Sequence, residues 1–277
     1  MPLNLPGEIS DAIIGCVEDK QTLRACALVC REWLPRSRHC LFRNIALPYQ
    51  PDSGASYVAL VKHVLHSETM RHYLHSTLAI SIWGDASAFP WSTRAPSRLF
   101  LCDFTGHLPN LQHLTFVHVR WEDYLPLPRE PLLLSGFPTV RMLSFHNCFV
   151  PSVTFMRRIL ASMPQLRELF LLNVIFTHPP RIASVQPIRL PRILPNLQTL
   201  SLPTCNIGLD PLLEWLTTGS PIQSTLRDLT FHYERGAPIL VALRSHIEFL
   251  QAVAPGLLHL DLSLFGMYVL SGPSNAV

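Results

Sequence analysis

One frame recurs through the later part of the chain and limits its fold more than any other feature. It is present in Pro109-Asn-Leu-Gln-His-Leu-Thr-Phe, Pro138-Thr-Val-Arg-Met-Leu-Ser-Phe, Pro164-Gln-Leu-Arg-Glu-Leu-Phe-Leu, Pro195-Asn-Leu-Gln-Thr-Leu-Ser-Leu and Pro255-Gly-Leu-Leu-His-Leu-Asp-Leu. Thr225-Leu-Arg-Asp-Leu-Thr-Phe keeps it without the proline. The first apolar positions, 111, 140, 166, 197, 226 and 257, stand 29, 26, 31, 29 and 31 residues apart. A period of roughly 30 residues marks stacked repeats, each burying its apolar face against the next. Within the frame, alternate side chains of a short strand point inward. The segments between frames supply returning helices. Ser152 to Met163 places Val153, Met156, Ile159 and Leu160 on one helical face. Asp210-Pro211 opens a second helix carrying Leu212, Leu213 and Leu216, and Ile239 to Val253 gives a third. The expected class is α/β, with short parallel strands and returning helices.

The first fifty residues follow a different pattern. A helix can start at Pro6, whose missing N–H would be unpaired there anyway. Ile9, Ala12, Ile13, Cys16 and Val17 then share a stripe, with Ile14 off it. Asp19 or Thr22 caps a second helix, in which Leu23, Cys26, Ala27, Cys30 and Trp33 form the stripe and Ala25, Leu28 and Val29 are surplus. Pro35 is expected to interrupt, leaving Ser37 to Phe42 as a short third helix. A helix that is apolar on two sides must be covered on two sides. Three short helices bury too little surface to do this alone.

Leu5-Pro6-x-Glu8-Ile9, Ile13-Ile14, Leu23-x-x-Cys26-x-Leu28-Val29-Cys30-Arg31-x-Trp33 and Leu41-Phe42 together resemble the F-box, over residues 5 to 42. The resemblance implies a small all-α unit whose spare apolar face docks on the Skp-type adaptor of a cullin ubiquitin ligase. By position, Leu5, Pro6, Ile9, Ile14, Leu28, Val29 and Trp33 are the adaptor-facing set. The later frames resemble the irregular leucine-rich repeats found behind many F-boxes, which implies a solenoid that holds a protein target. The position usually filled by Asn or Cys holds Cys148 and Cys205 in two repeats, with Val119, Val174, Glu234 and Phe265 elsewhere. That departure favours a loose solenoid of variable repeat length. The expected organisation is an F-box-like unit over 1–47, a connecting region over 48–107 and the repeats over 108–277. Tyr57 to Ile82 would give a leading helix and strand, and 83–107 an irregular linker. After the last strand Met267 to Val277 are too short for a returning helix and cap, although a solenoid needs its terminal repeat sealed, so a truncated gene product or an unusual terminus is expected.

On this reading a concave face exposes His113, Thr115, Met142, Ser144, Glu168, Phe170, Thr199, Ser201, Asp228, Thr230, His259 and Asp261. Their mixed size and charge suit a protein target; loops such as 120–135 and 177–192 are the alternative surface. The ligase reading makes the chain a substrate receptor that does no chemistry of its own and raises effective concentration by holding two partners. The competing reading is a non-catalytic scaffold whose helical unit caps the solenoid.

Composition excludes other classes. Apolar residues make up 48% and charged residues 15%, with mean hydropathy +0.23 and net charge +3. So small a charge does not predict nucleic acid as the main partner. No run reaches the ~18 apolar residues of a membrane span, and no basic region leads into an apolar one at the start. Seven cysteines, an odd number, suggest free thiols and a reducing compartment, cytoplasmic or nuclear. Cys16, Cys26, Cys30 and Cys40 lack a close Cys-x-x-Cys knuckle and are expected in the core. Glu68, His72 and His75 fit one helical face, but as solvated residues, so no metal or cofactor is expected. Neither a Gly-x-Ser-x-Gly elbow nor a phosphate-binding glycine loop is present, and an enzyme is not expected.

Overall fold

A computed structural model describes residues 6–47, 54–84, 96–121, 133–177, 194, 196–203, 209–219, 222–232 and 239–263. Among them the chain opens with α1 (Gly7–Gly15), α2 (Lys20–Val29) and α3 (Trp33–Arg43), then β1 (Asn44–Leu47) and α4 (Gly54–Leu60). A π-helical turn (Val61–Leu65) and a 3-10 helix (Arg71–Ser76) lead to β2 (Ala79–Trp83), α5 (Pro96–Phe104), β3 (His113–Val117) and β4 (Met142–Val150). Next come α6 (Val153–Ala161), β5 (Glu168–Phe176), β6 (Thr199–Pro203), α7 (Asp210–Gly219) and α8 (Ile222–Thr225). The described part ends with β7 (Asp228–His232), α9 (Ile239–Val253) and β8 (His259–Ser263). All eight described strands form one sheet in chain order, and every neighbouring pair is parallel.

The repeating frame dictates the register. Ile45, Ile80, Leu114, Leu143, Leu169, Leu200, Leu229 and Leu260 lie opposite one another across the whole sheet. From Ile80 to Leu229 this row is sealed beneath the helices. Slipping one strand by a residue would turn its apolar set out to solvent, so burial holds the alignment. Val153, Met156, Ile159 and Leu160 of α6 and Leu212, Leu213 and Leu216 of α7 are buried against it, as their spacing predicts. Ser152 caps α6 by accepting the Phe155 N–H at 3.2 Å.

Strand starts are tied by a repeated backbone device. The Leu78 carbonyl accepts both Gln112 N–H and His113 N–H, and the carbonyls of Gln112, Arg141, Arg167, Gln198 and Arg227 each do the same for the following strand. The residue after the frame's proline adds a side-chain tie: Asn110 donates to the His75 carbonyl at 2.8 Å, Thr139 to Leu111 at 2.7 Å and Asn196 to Pro164 at 3.2 Å. Beyond the middle of the sheet, His118, Asn147 and Asn173 adopt left-handed backbone with φ of 54°, 52° and 52°. Asn and His tolerate this region better than most residues. Asn173 Nδ2 donates to Asn147 Oδ1 at 2.8 Å, linking two turns of the stack.

Four expectations need correcting. The boundary at 47 cuts through the sheet, because Asn44–Leu47 already pair with Ala79–Ile82. Residues 83–107 are not an irregular linker throughout: α5 carries Phe100, Leu101 and Phe104 into the core, and Phe100 stacks on Phe137 at 6.1 Å. Pro35 does not interrupt α3, since it sits in the first turn, where a missing N–H costs no intrahelical bond. Glu68 lies in a turn ahead of the 3-10 helix that holds His72 and His75, so the three share no α-helical face. At β8 the inner-row residues Leu260 and Leu262 are about half exposed (49% and 50%).

Candidate protein-binding surfaces

The three opening helices pack α1 and α2 on α3, and the buried residues of α1 lie beside its apolar stripe, about a quarter-turn round the helix, and not on it. Ser10 and Ile14, one turn apart, face inward, with Ile14 only 1% exposed. Ile9 and Ile13 face out at 47% and 52%. The apolar stripe of α1 is therefore its outer side, and Ile14 is not part of any docking surface. In α2 the expected stripe is covered only in part, since Cys30 is exposed. Leu23 is buried, Cys26 and Ala27 are half-buried, and Leu28 and Val29 stand 87% and 62% exposed. Pro6 is exposed and Trp33 half-buried, while Leu5 lies outside the described residues. Asp19 caps α2, accepting the Thr22 N–H at 2.6 Å and the Thr22 hydroxyl at 2.7 Å, and these bonds hold its carboxyl below the usual range.

The thiols do not form a core here. Cys16 and Cys30 are exposed and Cys26 and Cys40 only half-buried. Among the described residues the buried thiol is Cys148, stacked beside Val174 in the sheet, and burial pushes its pKa up to about 12. Among the described residues no group of histidine, cysteine and carboxylate side chains is placed to hold a metal ion. None of the described helices is long and apolar enough to cross a membrane.

The sheet face turned away from the helices carries the other expected surface in two rows. His113, Met142, Glu168, Thr199, Asp228 and His259 form the first, and Thr115, Ser144, Phe170, Ser201, Thr230 and Asp261 the second. The topology brings all twelve together, but not as equals. Ser144 and Ser201 are buried, whereas His113, His259 and Asp261 are exposed and the others intermediate. Across the last strands the first row is linked. Thr199 Oγ1 donates to Asp228 Oδ2 at 3.3 Å, and the other oxygen of Asp228 lies 4.0 Å from His259 Nε2. Most of the loops named as an alternative surface lie outside the described residues.

One further polar pair was invisible in the sequence. Ser201 Oγ and His232 Nε2 are 2.7 Å apart across β6 and β7. Burial keeps the imidazole pKa down, partly offset by Asp261 on β8. The serine is only 2% exposed, so its oxygen is closed to a substrate in this conformation, and the pair ties two strands. Nothing in the linear spacing signals it; only the register does. Neither the known protein-family models nor the curated proteins contain a match to this chain.

Proposed function

We propose that the chain is the substrate-recognition adaptor of a Skp–cullin–F-box ubiquitin ligase, with its opening helices docked on the Skp-type adaptor and its sheet face holding a protein target. The observation that carries this reading is the exposure of Leu28 and Val29 on α2, together with Ile9 and Ile13 on α1. Large apolar side chains left in water by a small helical unit call for a partner. They fall within the segment that resembles the F-box. The repeats, in this reading a leucine-rich-repeat solenoid, offer mixed polar and apolar residues on one open face, as a protein target requires. The chain itself carries out no reaction. The test is binding of the purified full chain to the Skp-type adaptor, with a Leu28→Asp, Val29→Asp double variant as comparison. Equal binding by the two would rule out this docking surface.

A second reading, a scaffold whose helical unit caps the solenoid, has its own support. Phe42 of α3 stacks on Tyr73 at 5.9 Å, Thr77 Oγ1 donates to the Phe42 carbonyl at 2.9 Å, and Leu78 N–H donates to the Arg43 carbonyl at 2.8 Å. The opening helices are thus joined firmly to the first repeat. This reading gains if the native chain does not bind the adaptor at all and removal of residues 1–43 unfolds the sheet.

A further inference from the structure

Among the described residues the sheet ends on β8, whose far side pairs with no other strand. In a parallel ladder the backbone groups of successive residues face alternate neighbours. His259 N–H is bonded to the Arg227 carbonyl ahead of β7, so Leu260 and Leu262 turn their backbone groups to the open side. Such groups form a template for another strand, which natural edges usually guard with lysine, proline or a bulge. This edge carries leucine. Leu258, Leu260 and Leu262 are 68%, 49% and 50% exposed, and the first two border a hollow of about 390 Å3 shared with Leu250 and Leu257. On the other face of β8 stand His259 and Asp261, both exposed. The opposite edge, β1, reads Asn44-Ile45-Ala46-Leu47, without a charge and with Leu47 buried.

We propose that β8 pairs with β8 of a second copy of this chain, antiparallel about a two-fold axis at Leu260. Position 260 then meets itself, 258 meets 262 and 259 meets 261. Leucine faces leucine on one side of the joined sheet, and His259 faces Asp261 twice on the other. The His–Asp pairs fall at non-hydrogen-bonded positions, where facing side chains approach most closely. Sliding the pairing by two residues sets Asp261 against itself or His259 against itself, so charge selects the register. Asp228 lies 4.0 Å from His259 within the chain, but the imidazole side chain stays 80% exposed, with room to reach across the axis. Pairing of this kind closes after two copies, whereas β8 on β1 would continue as a fibre. No residue of α1 or α2 takes part, so the inference is independent of the adaptor reading.

The test is sedimentation velocity of the full chain from about 1 to about 100 μM, the range in which so small an interface associates. The mass is expected to rise from 31.3 kDa toward twice that. His259→Asp sets two carboxylates against each other, and Asp261→Arg sets arginine against histidine. Each variant alone should associate at least about tenfold more weakly, since symmetry counts every change twice. An equimolar mixture of the two variants should recover the dimer, because every facing pair is then of opposite charge. The mass of one chain throughout, single variants that associate like the native chain, or a mixture no stronger than its parts overturns the proposal. So does a monomer that dimerises only after removal of residues 264–277, which would assign the edge to this chain's own end. If either variant does not fold, amide exchange of the native chain decides. Leu260 and Leu262 should exchange at least about tenfold more slowly at the higher concentration, and equal rates refute the pairing.

Discussion

Replacing Leu28 and Val29 by aspartate isolates the proposed docking surface from the fold. The two side chains are 87% and 62% exposed, so most of their apolar area is free for a partner to cover. Complete burial of such a side chain stabilises by roughly 1.5–3 kcal/mol. Scaled by the two exposures, the pair offers about 2–4 kcal/mol. At about 1.4 kcal/mol per factor of ten, losing it weakens binding by about 30- to 1000-fold, and an unpaired carboxylate buried in the interface adds to the loss. The fold should change far less, because exposed substitutions usually stay within about 0.5 kcal/mol. One correction is needed. Both residues end α2, where a carboxylate opposes the helix dipole by about 0.3–1 kcal/mol. A Leu28→Lys, Val29→Lys variant reverses that effect and should lose binding equally. The assay is calorimetric titration of each full-length variant with the Skp-type adaptor, paired with a thermal melt by circular dichroism. Native affinity in either well-folded variant refutes the argument, as does a loss of affinity that only tracks a fall in Tm.

Three other outcomes follow from single positions. Gly84→Ala would place its Cβ 2.2 Å from the His118 carbonyl oxygen, a backbone atom that must shift; urea denaturation should show a loss of about 1–3 kcal/mol, and an unchanged midpoint would contradict the close approach. Cys148, sealed and with its pKa raised to about 12, should resist iodoacetamide at pH 8 until the chain unfolds, whereas Cys16 and Cys30 label at once, as peptide mass spectrometry can record. Burial keeps the His232 pKa below its unfolded value of about 6.5. Its contribution to stability is therefore present above about pH 6.5 and fades as pH falls through the lower folded value. The difference in urea midpoint between pH 7.5 and pH 5 should shrink in His232→Gln, and an identical difference would exclude this histidine.

The repeats were legible because one physical pattern operates at two scales. Alternation inside each frame assigns the inward row, and recurrence of the frame assigns the neighbours, so Leu114, Leu143, Leu169, Leu200 and Leu229 fall into line without further information. Helices α6, α7 and α9 follow for the same reason. The failures occur where periodicity is ambiguous or the register supplies the partner. In α1 nearly every face carries an apolar residue, so the stripe of Ile9 and Ile13 did not tell which side is covered, and Ile14, off the stripe, is the residue that is sealed. Phe100, Leu101 and Phe104 span little more than one turn, too short a run to announce α5 in a stretch rich in proline and serine. Ser144 and Ser201 were read as exposed from strand alternation alone, yet both are buried. The Ser201–His232 pair joins residues that are neighbours only after the strands stack.

The helix α3 connects these surfaces. On one side it receives α1 and α2, and the Ser37 hydroxyl, fully buried, donates to the Trp33 carbonyl at 2.8 Å. On the other side it is tied to the first repeat through Phe42, Tyr73 and Thr77. The chain passes from Arg43 directly into β1 with no intervening linker. A partner held on α1 and α2 would therefore take a fixed position relative to the sheet. The benefit of holding two partners on one chain depends on that geometry: a matched rigid span raises effective concentration, and a mismatched one removes it. An adaptor of this construction would select its target by where the target's reactive groups fall as well as by how tightly the sheet face grips it. A swinging tether between the two units could not make that selection.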